Sequence, residues 1–69
     1  MMFFFAETMV GSYRFHAFSR IRERAIELVR YAVQEHAKQY GLTVDRPDDI
    51  IAVHAYEPDI GYRDHQALT

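Results

Sequence analysis

Hydrophobic and polar positions change their rhythm along this chain, and each rhythm predicts an element. Phe3-Phe4-Phe5-Ala6 is apolar at consecutive positions, whereas Tyr13 to Phe18 alternates ring and polar residues near period two. Val10-Gly11-Ser12 lies between them, and Gly11 can supply the positive φ of a tight turn, so the two runs read as an antiparallel hairpin. From Arg20 to Tyr40 there is neither Gly nor Pro. At about a hundred degrees per residue, Ile21, Ala25, Ile26, Leu28, Val29, Ala32, Val33, Ala37 and Tyr40 fall within one half of a helical wheel. Ser19 is the expected N-cap of this helix and Gly41 its left-handed C-terminal residue. Thr43 to Asp49, with Pro47 and three aspartates, reads as a loop; Ile50 to Tyr56 reads as a third strand, stopped by Pro58.

The predicted class is α+β with element order ββαβ. If the third strand docks on the free edge of the first, the result is a three-stranded antiparallel sheet in order 2-1-3, with one long helix packed on one face. That order makes Phe3-Phe4-Phe5 central, which suits a run that is apolar on both sides. Alternation then assigns Phe3, Phe5, Tyr13, Phe15, Ala17, Ile51, Val53 and Ala55 to the helix side. The other side is expected to carry Phe4, Ala6, Arg14, His16, Phe18, Ile50, Ala52, His54 and Tyr56. Residues 1–58 form the expected domain, and residues 59–69 a tail that is loose or orders on binding.

One helix cannot cover both faces of a sheet. The second face, with Phe4, Arg14, His16, Phe18, His54 and Tyr56, is therefore expected to meet a partner or a second copy of the chain. Composition narrows the options further. There is no Cys, which excludes disulfides, thiolate zinc sites and cysteine nucleophiles. The apolar start is interrupted by Glu7 and lacks a basic flank, so neither a signal core nor a membrane span is expected, and the simplest location is the cytoplasm. A net charge of −2 gives no general push toward nucleic acid, but it is unevenly spread. Residues 1–38 hold six basic and four acidic side chains; residues 39–69 hold two basic and six acidic ones.

Candidate chemistry is sparse. His16 and His54 sit in matching segments, Phe15-His16-Ala17-Phe18 and Val53-His54-Ala55-Tyr56, and the assigned faces place both on the open side of the sheet. Outer strands stand roughly 9 to 10 Å apart, and no carboxylate is evidently placed beside them, so no metal and no cofactor is expected. With Tyr56, Arg14 and Glu57 nearby the pair would suit acid–base work on a phosphodiester, a minor alternative. Arg20, Arg22 and Arg24 crowd the helix start, where the macrodipole disfavours cations. Tyr31, set among polar residues one helical turn away, has the character of an interface residue.

The layout from Phe3 to Tyr56, a hairpin, a single helix opened near Ser19 and a returning strand, resembles several small phage-encoded anti-CRISPR proteins. The likeness lies in architecture and carries no shared motif. It implies a non-enzymatic, cytoplasmic inhibitor in a bacterial host, occupying a surface of a host protein or ribonucleoprotein complex. Three surfaces are candidates: Arg20, Arg24, Glu27, Arg30, Tyr31 and Lys38 on the helix; the open sheet face; and an acidic patch of Asp45, Asp48, Asp49, Glu57 and Asp59. A small dimeric nucleic-acid-binding domain using the arginines at the helix start is the alternative.

Overall fold

The computed structural model describes residues 1–42 and 51–68. Strands β1 (Phe3–Val10) and β2 (Tyr13–Ser19) precede helix α1 (Arg22–Tyr40), which is followed by β3 (Ala52–Tyr56) and by two short strands, β4 (Tyr62–Arg63) and β5 (Gln66–Ala67). The main sheet is antiparallel with order β2-β1-β3, as the apolar Phe run predicts, and α1 packs across β1 and β2. Asp45, Asp48, Asp49 and Ile50 lie outside the described residues.

A two-residue connection sets the register of the whole sheet. Gly11 has φ +62, the requirement for a type II′ hairpin turn, and Val10 pairs directly with Tyr13. Counting back from that pair sets Thr8 opposite Phe15, Ala6 opposite Ala17 and Phe4 opposite Ser19. Directly opposed residues share a face, so Phe4, Ala6 and Thr8 go with Phe15 and Ala17 toward the helix. This corrects the expected placement of β1: Phe4 and Ala6 are inside, and Phe3 and Phe5 lie on the open face. The error is a one-residue slip in β1, which exchanges every side chain of that strand between faces.

The core is thin. Ala25, Val29, Val33 and Ala37 make a buried stripe on α1 at four-residue spacing, and the first three close on Ala6 of β1. Phe4, Val10, Phe15, Ala17, Ile51 and Val53 pack around them, yet among the described residues the largest fully buried side chains are Val29 and Val33. Ile21 and Tyr40, expected in the packing arc, are exposed. His36 sits at the boundary, its ring centroid 4.6 Å from that of Tyr13, 5.2 Å from Phe15 and 4.8 Å from Tyr40.

The helix starts later than its sequence signal. Ser19 still belongs to β2 and is not the N-cap; its Oγ accepts the Ile21 N–H at 3.1 Å, and the Ile21 carbonyl receives the N–H groups of Arg24 and Ala25. Arg20 is therefore outside the helix, with its guanidinium carbon 5.7 Å from the Phe3 ring centroid. At the other end Gly41 takes φ +64, and the N–H groups of Gly41 and Leu42 bond to Lys38 and Ala37 carbonyls in a Schellman closure.

Residues 59–69, for which a loose or binding-ordered tail is expected, contain the β4–β5 hairpin. Its two central residues, Asp64 and His65, have φ +51 and +67, the pattern of a type I′ turn, and Leu68 N–H bonds to the Gly61 carbonyl at 2.8 Å.

Because Val29 fills the point where the helix meets β1, Val29→Ala is expected to lower the unfolding free energy by about 2 kcal/mol. Tyr31→Ala, on the opposite side of the same helix, is expected to change it by less than about 0.5 kcal/mol. Urea denaturation followed by circular dichroism checks both, and equal losses would contradict this packing.

Candidate functional site

On the face away from the helix, the three strands line up rows of side chains. Phe18, Phe5 and His54 form one row through the pairs Phe5–Phe18 and Phe5–His54; His16 and Glu7 form part of the next. Phe5 is the hub. Its ring stacks on Phe18 at 4.7 Å and stands 5.8 Å from His16, 6.4 Å from His54 and 6.4 Å from Tyr56. It thus stands between His16 and His54, and the anticipated histidine pair is not a pair.

A different pair forms instead, because the tail returns over β3. His65, at the tip of the type I′ turn, lies flat on His54 with ring centroids 3.6 Å apart and planes within 8°. Both imidazoles present Nε2 to one carboxylate oxygen, Glu7 Oε2, at 2.9 Å from His54 and 3.3 Å from His65. The Tyr56 hydroxyl is hydrogen-bonded to the remaining nitrogen of His65, Nδ1. Tyr62 braces Tyr56 edge-on at 4.6 Å, and its own hydroxyl accepts the Glu57 N–H at 2.7 Å. The expectation that no carboxylate stands beside the histidines is thus overturned by Glu7.

The cluster is a continuous polar chain on an aromatic floor: Tyr56 hydroxyl, His65 imidazole, Glu7 carboxylate, His54 imidazole. Glu7, His54 and His65 are each partly exposed, so the chain is reachable from solvent while Phe5 shields one side of it. Such a chain can pass protons or offer convergent nitrogen and oxygen donors. The Tyr56 phenol is pushed above its ordinary value, first by loss of hydration and then by the charge of Glu7 and the neighbouring Tyr62.

The other candidate residues are dispersed. Arg14, His16 and Phe18 are exposed on the β2 side of the open face. Phe4 is not on that face, for the register reason given above. On the outer side of α1, Arg24 pairs with Glu27 at 3.2 Å and Lys38 with Glu35 at 3.6 Å, and a shallow hollow of about 410 Å³ is lined by Arg24, Glu27, Leu28 and Tyr31. Arg30 is half-buried, and Glu57 and Asp59 flank Pro58 in exposed positions. The helix surface and the open sheet face point to opposite sides of the molecule, so one flat partner surface cannot touch both.

Glu7 and His65 are the members of this cluster that the sequence pattern did not reveal. Counting back from the turn would have put Glu7 on the open face. Nothing local announces His65, whose position depends on a tail folding back across the sheet.

An unfolded chain has an ordinary phenol and loses its proton first as pH rises. Stability is accordingly full below a pH of about 10 and falls as pH climbs through the raised folded-state value of Tyr56. Urea midpoints between about pH 9 and pH 11 are expected to show this slope, to flatten in Tyr56→Phe and to lessen in Glu7→Gln; an unaltered slope in Tyr56→Phe would remove Tyr56 as its source. Comparison with protein-family models, with curated proteins and with solved structures finds no match to this chain.

Proposed function

We propose that the protein is a non-enzymatic inhibitor that acts by binding another protein through the uncovered half of its sheet. The observation that carries this reading is the stacked Phe5–Phe18 pair, whose outer member Phe18 remains 64% exposed on a face that α1 does not reach. Met9, also exposed, is paired with Arg14 beside it, and His16 adds a polar contact. An aromatic anchor ringed by Arg and His is the make-up of a protein-binding hot spot. Burying Phe18 alone is worth roughly 1.5 to 3 kcal/mol, a large contribution for so small a domain.

In its finer form the proposal takes the partner to be a bacterial nucleic-acid-handling defence complex, met in the cytoplasm of a phage host, as the anti-CRISPR-type layout implies. No helix among the described residues is long and apolar enough to cross a membrane. Nucleic-acid binding through the arginines is the weaker reading: Arg24 is held by Glu27 and Arg20 lies over Phe3, so the helix start does not present three free cations.

An inhibitor of this kind works by stoichiometry. In bacterial cells carrying an active CRISPR interference system, the wild-type protein is expected to restore transformation by a targeted plasmid, and Phe18→Glu to lose at least about tenfold of that effect, a tenfold change being 1.4 kcal/mol of binding. Titration against the purified effector complex should reach its endpoint at a fixed molar ratio. Inactivation at far lower amounts would mean turnover, and protection unaffected by Phe18→Glu, or absent against every system tried, would overturn the reading. Light scattering on the protein alone separates pairing of copies through the same face.

A further inference from the structure

The geometry points to a divalent transition-metal site made by Glu7, His54 and His65, with zinc as the ion that fits it. Two imidazoles and one carboxylate are the donor set of three-ligand zinc sites, which leave a fourth position for water or another group. The three donor atoms lie within 4.8 Å of one another. In a tetrahedral site with bonds of roughly 2.0 to 2.1 Å, ligand atoms are about 3.3 Å apart. Two of the three edges here measure 2.9 and 3.3 Å, so adjustments of a few tenths of an ångström suffice on those edges, while the two rings, parallel and 3.6 Å apart, must splay so that both in-plane Nε2 lone pairs meet at one ion.

The surroundings supply what such a site needs beyond its ligands. In the tautomer that carries the proton on both Nε2 atoms, each Nε2–H donates to Glu7 Oε2 and the Tyr56 hydroxyl donates to His65 Nδ1. Ligation requires the other tautomer, with the proton on Nδ1 and the Nε2 lone pair free. The Tyr56 hydroxyl serves both states, because it accepts from Nδ1–H as readily as it donates to Nδ1. Nitrogen donors with a single carboxylate select zinc, cobalt or nickel over magnesium or calcium, which require oxygen-rich shells.

The ion would tie β1, β3 and the tail hairpin at one point. In a chain of 69 residues whose largest fully buried side chains, among the described residues, are two valines, such a clip addresses the shortage of core directly. The site is independent of Phe18 and of the inhibitor reading.

Isothermal titration of untagged, chelator-stripped full-length protein with zinc chloride tests it. One saturable site per chain is expected, together with the visible absorption of a four- or five-coordinate complex when cobalt replaces zinc. With free zinc about 100-fold above Kd, the midpoint of thermal unfolding is expected to rise by at least about 10 °C. His65→Ala and Glu7→Gln should each weaken binding at least tenfold while leaving the far-ultraviolet circular dichroism unchanged; His16→Gln should bind as wild type. Tyr56→Phe, which keeps all three ligands, should weaken binding by about tenfold. No saturable zinc binding, equal binding of magnesium, or affinity indifferent to both His65→Ala and Glu7→Gln would overturn the site.

Discussion

Everything on either side of the sheet depends on Val10 facing Tyr13 across Gly11 and Ser12. A two-residue turn leaves no slack, and side chains alternate strictly, so that pairing decides which half of β1 meets the helix. It sends Ala6 and Thr8 inward, where a small and a medium side chain let α1 come close, and sends Phe5 and Glu7 outward. A turn one residue longer would bury Glu7 under the helix without water and put Ala6 where the aromatic hub now stands. The thin core and the polar chain on the other face are products of the same register.

The buried centre of the inner face is built from small residues. Ala6, Ala25 and Ala37 allow a close helix–sheet approach, and Val29 and Val33 do most of the filling. Aromatic mass has gone to the margins: Phe15 with His36, Tyr13 and Tyr40 at one end, and Phe5 with Phe18, His54 and Tyr56 on the far side. A domain organised in this way holds many of its ring contacts outside its core. Its two faces therefore contribute to stability by different means, apolar burial on one and stacked rings with shared hydrogen bonds on the other.

How much of this was legible differs from residue to residue. The strand order could be read because Phe3-Phe4-Phe5 is apolar on both sides, and the structure uses both: Phe4 under the helix, Phe5 on the aromatic floor. The helix end was legible in Gly41, since a left-handed residue there closes the last carbonyls. Its beginning was obscured because Ser19 serves as the last strand residue and still bonds to the Ile21 N–H, so a capping side chain occurs two residues too early. The face of β1 was present in the turn length and only needed counting. His65 was hidden for a deeper reason: residues 59 to 68 hold few apolar groups, and what folds them back is ring stacking and shared hydrogen bonds, which leave no periodic trace.

The β4–β5 hairpin has four strand residues and two central residues in left-handed conformations. A ribbon so short does not hold its shape alone. Its order is borrowed from the surface beneath it, through His65 on His54 and Tyr62 against Tyr56. The tail and the sheet consequently make one cooperative unit with a weak seam, and the seam runs through the imidazole stack. Parting it would leave the apolar side of the sheet untouched and strip His65 from His54, Glu7 and Tyr56 together: the Glu7 carboxylate would exchange one of its two imidazole partners for water on the open face of the central strand.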